Sequence, residues 1–190
     1  GLVGSEMCKE TAPGPGIPAE AGELLTLIEH CKTTHDILGV CLGHQAIAES
    51  FGASLQQLPH PKHGHESPLT IVDPTDILYH GLSYPVQVGR YHSWIVNPHT
   101  LPSCLRISAL DEEGHIMSFY HTSLPIRGVQ YHPESIITRQ GCQMINNWIN
   151  EEKVYKVYKV YKVHKVYGPL RGALLTAARA AVKRCPKDTR

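Results

Sequence analysis

Three short segments carry side chains whose types and spacing could perform nucleophilic chemistry. In Gly39-Val40-Cys41-Leu42-Gly43-His44-Gln45 a cysteine stands between an apolar run and a helix-like run, with a glycine two residues to either side. A thiol at a strand-to-helix turn projects from the chain, and the first N–H groups of the helix favour both its thiolate and a neighbouring oxyanion. The two glycines suit so tight a turn. A buried structural cysteine would fit the same residues, so this segment alone does not decide. In Gln130-Tyr131-His132-Pro133-Glu134-Ser135 a strand pattern stops at Pro133, and a histidine has a carboxylate two residues on. That pairing makes a base whose tautomer is set by its own orienter. The chain holds 13 histidines, so a single His-Pro-Glu is equally readable as a satisfied turn. The third segment, residues 12–18, is a Pro/Gly-rich turn with exposed N–H groups, either a plain loop or half of an oxyanion hole.

The elements that must position these groups follow from periodicity. Residues 24–30 read as the apolar face of a helix, and residues 36–53 run from an apolar strand through the Cys41 turn into a second helix. Between residues 51 and 130 come short β-rich runs at 69–73, 86–96, 105–110, 115–121 and 126–132, separated by Pro, Gly and Asp. A helix from about Cys142 to Asn150 follows, with Met144, Ile145, Trp148 and Ile149 at helical spacing. Apolar strands mixed with helices predict an α/β domain.

Composition narrows the class. The 42% apolar and 18% charged content is that of a globular chain, which excludes disordered and collagen-like proteins. No uncharged run approaches the roughly 18 residues of a spanning helix, and no signal-peptide pattern opens the sequence, so no membrane role and a cytoplasmic location are expected. Six cysteines without metal-ligand spacing read as free thiols. Charge is unevenly distributed. Residues 1–150 hold 7 Lys+Arg against 14 Asp+Glu, and residues 151–190 hold 11 against 3. Residues 153–167 are five triplets of the form Lys-Val-Tyr, one with His in place of Tyr, matching neither helix nor strand period. A solvated or aggregation-prone tail is the expected reading, and nucleic acid is not an expected partner.

Taken together, Pro13–Pro18, Gly39–Gln45 and Gly128–Ser135 resemble the class I, or triad, glutamine amidotransferases, in the family's order. The resemblance implies a flavodoxin-like, doubly wound, mostly parallel sheet. It implies Cys41 as nucleophile, His132 as general acid and base, and Glu134 as its orienter. It also implies that Gly14, Gly16, Leu42, Gln45, Ser93 and Trp94 surround L-glutamine, with the N–H groups of Gly16 and Leu42 facing the oxyanion. Arg90–Trp94 and the loop His63–Ser67 look like the branch that serves chorismate-using synthases in tryptophan or folate biosynthesis. Many members of that branch carry Lys-Thr where this chain has His65-Glu66, beside the loop expected to face the partner.

The implied chemistry is amide cleavage through a γ-glutamyl thioester on Cys41, with each oxyanion donor contributing on the order of 3 kcal/mol and no metal or organic cofactor. The implied partner is a synthase subunit that receives ammonia, anthranilate synthase component I or aminodeoxychorismate synthase component I. Residues 1–150 are expected to form the amidotransferase domain and 151–190 a low-complexity basic tail. Only eleven residues precede the Pro/Gly turn, fewer than the ~30 of a βαβ unit, so the domain is expected to lack its first strands. The alternatives are a γ-glutamyl peptidase of the same fold and an inactive fragment or interaction subunit.

Overall fold

The computed structural model describes residues 16–154. A 3-10 turn at Pro18–Glu20 leads into α1 (Leu24–Cys31), β1 (Ile37–Val40), α2 (Leu42–Ser50), β2 (Leu55–Pro68) and β3 (Thr70–Ile71). After a second 3-10 turn at Ile77–Tyr79 come β4 (Gln87–Val96), β5 (Leu105–Leu110), β6 (Ile116–His121), β7 (Ile126–Val129) and α3 (Gly141–Val154). The expected helices and β-rich runs are all present, and α3 runs on through Asn150. Gly14, most of the triplet repeat and the basic tail lie outside the described residues.

Five strands form a sheet in the order β1-β7-β6-β5-β3. β1 and β7 are parallel, Ile37 opposite Ile126 through Val40 opposite Val129. The remaining pairings in this sheet are antiparallel. Short connections between β5, β6 and β7 require that direction, whereas β1 and β7, far apart in sequence, are free to run parallel. The described sheet is therefore mixed.

Each face of the sheet is covered. On one side Ile28 of α1 and Ala46, Ile47 and Ala48 of α2 pack with Val96, Leu105, Phe119 and Ile126. On the other, Met144 and Ile145 of α3 pack with Leu38, Leu78, Val88 and Val129, with Trp148 and Ile149 against the cluster. Each of the larger side chains, Val, Leu, Ile, Phe or Met, contributes about 1.5–3 kcal/mol when fully buried. The alternation along β1 and β7 thus faces two helical layers, which holds the carboxyl ends of both strands side by side.

The structure corrects one local expectation. His63–Ser67 is strand rather than loop, with His63 opposite Tyr91, His65 opposite Arg90 and Ser67 opposite Val88 in an antiparallel β2–β4 pair. Its register shifts between Gln57 and Lys62, the stretch that holds Pro59 and Pro61, and again between His63 and His65. Proline lacks a ladder donor and survives at such irregular edges, which is why the pattern did not read as strand. Cys142 is disulfide-bonded, so the reading of six free thiols fails there, while Cys31, Cys41 and Cys104 are free.

Candidate active site

β1 delivers Cys41. Its N–H donates to the Val129 carbonyl at 2.8 Å, carrying the parallel ladder one residue past Val40. The chain then turns sharply, with Cys41 at φ 52° and ψ −101°, the positive-φ non-glycine among the described residues. Such a conformation costs on the order of 1–3 kcal/mol and persists only where packing dictates it. Here Gly39 is the reason the turn closes. A Cβ at Gly39 would lie 2.5 Å from the Gly43 carbonyl oxygen and 2.5 Å from Ile47 Cδ1, so strand and helix meet backbone to backbone. Cys41 is 5% exposed. No side chain caps α2, which leaves the N–H groups at its start, Leu42 first, for a bound anion.

The chain beyond β7 delivers the second group. His132 N–H donates to Gly89 O at 3.0 Å, and the Thr138 hydroxyl accepts from Gly89 N–H at 2.9 Å while donating to His132 O at 2.6 Å. Gly141, opening α3, presses on the same segment, and a Cβ there would collide with the Pro133 carbonyl. The His132-Pro133-Glu134 turn is therefore clamped between β4 and α3. Within it, His132 Nδ1 is 2.7 Å from Glu134 Oε1, and the Tyr91 ring meets the imidazole edge-on at 5.2 Å.

Electrostatics single out this histidine. Burial works to lower its pKa, but the Cys41 sulfur and then the Glu134 carboxylate more than offset that and raise it to about 10. The ring is cationic at neutral pH. Its remaining nitrogen, Nε2, is buried with no other partner, and the Cys41 sulfur acts on the ring both as a hydrogen-bond acceptor and through its charge. Two other buried histidines behave oppositely. Burial lowers His44 to about 3, and burial together with the Arg90 charge lowers His92 to about 3. Both are neutral and neither can serve as a proton reservoir at physiological pH.

The structure thus brings Cys41, His132 and Glu134 to the adjacent ends of β1 and β7, with Leu42 opening the helix between them. Gln45 is 2% exposed, and its amide nitrogen is engaged with Trp94 O at 2.7 Å and Gln130 Oε1 at 3.0 Å. Trp94 therefore faces the site with its carbonyl, while Ser93, next to it in β4, is nearly buried and shares the strand face of Tyr91, whose ring packs on His132. Gly16 lies two residues before Pro18, where the turn that packs against α2 begins. Sequence reasoning missed Gln130, whose Nε2 lies 3.6 Å from Cys41 Sγ. A polar residue closing an apolar strand was the available signal. It also missed Thr138 and Gly141, which no pattern marks. Among the described residues no group of His, Cys, Asp and Glu is placed to hold a metal ion, and no helix is long and apolar enough to cross a membrane.

Comparison with known proteins places this geometry. The family model described as glutamine amidotransferase class-I matches residues 11–151. An aminodeoxychorismate synthase component 2 from Klebsiella aerogenes is 45% identical over 139 residues, covering 73% of this chain and 73% of the relative. An aminodeoxychorismate/anthranilate synthase component 2 from Bacillus subtilis is 46% identical over 138 residues, covering 73% and 70%. Among solved structures, a putative GMP synthase protein from Thermoplasma acidophilum superposes with a TM-score of 0.65 at 29% identity, covering 75% of this chain and 70% of that one. This likeness carries the flavodoxin-like α/β arrangement.

Proposed function

The chain belongs to the class-I glutamine amidotransferase family, and from that premise we propose that it hydrolyses L-glutamine to glutamate and passes the ammonia to a chorismate-using synthase subunit. In this reading the Cys41 thiolate attacks the glutamine carboxamide carbon. The N–H groups of Leu42 and Gly16 receive the oxyanion. Cationic His132 gives its proton to the departing ammonia, and the resulting neutral imidazole takes one from water as that water cleaves the γ-glutamyl thioester. Glu134 holds the ring so that Nε2 faces the sulfur in both protonation states. Gly14, Gln45, Ser93 and Trp94 complete the glutamine pocket in the same proposal, Trp94 through its backbone.

The observation that carries the reading is the pairing of a strained cysteine turn with a histidine whose pKa the sulfur and Glu134 raise to about 10. A structural cysteine needs neither. The relatives named above are component 2 proteins of aminodeoxychorismate and anthranilate synthases, which supports a component I synthase as the partner, with tryptophan or folate synthesis as the pathway. We place the protein in the cytoplasm, with residues 1–150 as the glutamine-hydrolysing unit and 151–190 as a tail outside it. Intact-mass analysis after incubation with an electrophilic glutamine analogue tests the proposal. One adduct, absent in Cys41→Ser, is expected. A folded protein that takes no adduct would overturn the reading.

A further inference from the structure

We propose that Gln130 is a further catalytic residue of this site, its side-chain N–H donating to the Cys41 sulfur, with the direction of that amide dictated by a buried hydrogen-bond chain that starts at the Trp94 carbonyl and runs through Gln45. The inference rests on Cys41 being the nucleophile.

The direction of the chain follows from donor and acceptor chemistry. Arg90 Nε carries one hydrogen and no free lone pair, so at 3.2 Å it must donate to His92 Nε2. The ring is neutral and its proton therefore sits on Nδ1, which donates to Trp94 O at 3.0 Å. A carbonyl only accepts. The Gln45 atom 2.7 Å from Trp94 O is consequently its nitrogen, and that nitrogen has a second hydrogen, directed at Gln130 3.0 Å away. The Gln130 atom receiving it must be the oxygen, which leaves Nε2 to face Cys41 Sγ at 3.6 Å. Both amides are thus oriented without freedom to flip. Behind the Trp94 carbonyl, His92 is held in turn, because Arg90, which donates to it, pairs through Nη1 with Asp111 Oδ2 at 2.7 Å, and both side chains are almost fully buried.

Burial explains why such a donor is required. Gln130 is fully buried, and the sulfur beside it is nearly so. A thiolate withdrawn from water needs fixed donors in place of its hydration shell. His132 is one, but it surrenders its proton to the leaving ammonia. Gln130 never transfers its proton, so it remains a donor to the thiolate that thioester hydrolysis regenerates. The charged and titratable groups around the sulfur are otherwise His132 with Glu134 behind it, His92 behind the Trp94 carbonyl, and His44 of α2.

The test is the pH profile of Cys41 alkylation by iodoacetamide, in wild type and in Gln130→Met, which keeps an unbranched side chain and removes the donor. Losing one hydrogen bond to a charged group should slow alkylation at pH 7 about tenfold and displace the profile about one unit toward higher pH. A folded variant with the wild-type profile overturns the proposal. Should Gln130→Met fail to fold, nitrogen-15 NMR of the wild-type side-chain amides decides. The Gln130 amide protons should move with the same pH midpoint as alkylation, and their indifference to pH would overturn it. Iodoacetamide requires no glutamine pocket, so failure of the glutaminase reading would appear with the glutamine analogue and not here.

Discussion

Two buried polar regions lie on either side of Trp94, and they are built on opposite terms. Around Asp111 the carboxylate's valences are filled, and the open one is Nη2 of its partner Arg90. One carboxylate oxygen accepts from Glu113 N–H at 2.9 Å and His115 N–H at 2.7 Å, and the other meets Arg90 Nη1 and His115 Nδ1. Around Cys41 valences are left open. His132 Nε2 has no partner but the Cys41 sulfur among the described residues, the start of α2 is uncapped, and the backbone at Cys41 is strained. Unmet donors in a buried place are costly unless something arrives to use them. The contrast separates a region that holds its shape from one shaped for a reactant.

Substitutions that break the contrast should act on different measurements. The largest effect is expected from His132→Gln, which removes the acid and base together. Glutaminase activity should fall by roughly 10⁴-fold or more, as when a member of a triad is lost, while the melting temperature stays near wild type. Activity within about tenfold of wild type would mean that another group moves the proton.

Asp111→Asn should do the reverse. Removing one partner of a buried ion pair leaves Arg90 uncompensated and costs about 3–5 kcal/mol of stability. The pH dependence has a defined sign. Burial raises the Asp111 pKa, but the His115 side-chain and backbone hydrogen bonds and the Arg90 charge outweigh it, leaving the value below its ordinary 3.8. A group depressed on folding contributes stability above its unfolded pKa and loses it as the pH falls through the folded one. Denaturant titrations of wild type should therefore show stability falling on acidification below about pH 3.8, and the variant should lack that component. Parallel curves would sink the assignment.

The reacting residues were more legible in the sequence than the ground they stand on. Cys41 and the His132-Pro133-Glu134 turn are written in contiguous segments, and Gly39 is demanded because a Cβ would strike Gly43, although β7 already ends at Val129, before Pro133. The supporting contacts are long-range. Thr138 reaches Gly89, and Arg90 reaches Asp111, through pairings that only the folded sheet creates. β2 escaped for a different reason. Much of it is exposed and its prolines sit at register shifts, so neither alternation nor a breaker-free run betrays it. The mixed sheet direction likewise depends on which strands become neighbours, and local periodicity says nothing about that.

Glu134→Gln sharpens the comparison on the reactive side. The amide can still meet Nδ1, but the negative charge that helps raise the His132 pKa is gone. Activity should fall roughly 10²-fold, equivalent to about 2.7 kcal/mol, and the alkaline limb of the pH–rate profile should move to lower pH. An unchanged limb with reduced rate would assign Glu134 to ring orientation alone.

The smallest effect is expected where the filled region reaches the surface. Lys62 of β2 meets Glu113 at 2.7 Å, with Glu113 half exposed, and so ties the edge strand to the turn that encloses Asp111. Solvent screens such a pair, and exposed ion pairs typically contribute about 0.2–1 kcal/mol. Lys62→Met should lower stability by no more than that, and the difference should vanish near 1 M salt, where the screening length is about 3 Å. A loss of more than about 2 kcal/mol, insensitive to salt, would mean that β2 is held by the buried Asp111 network. The boundary between shape-holding interior and adaptable edge would then have to be moved outward to include the strand.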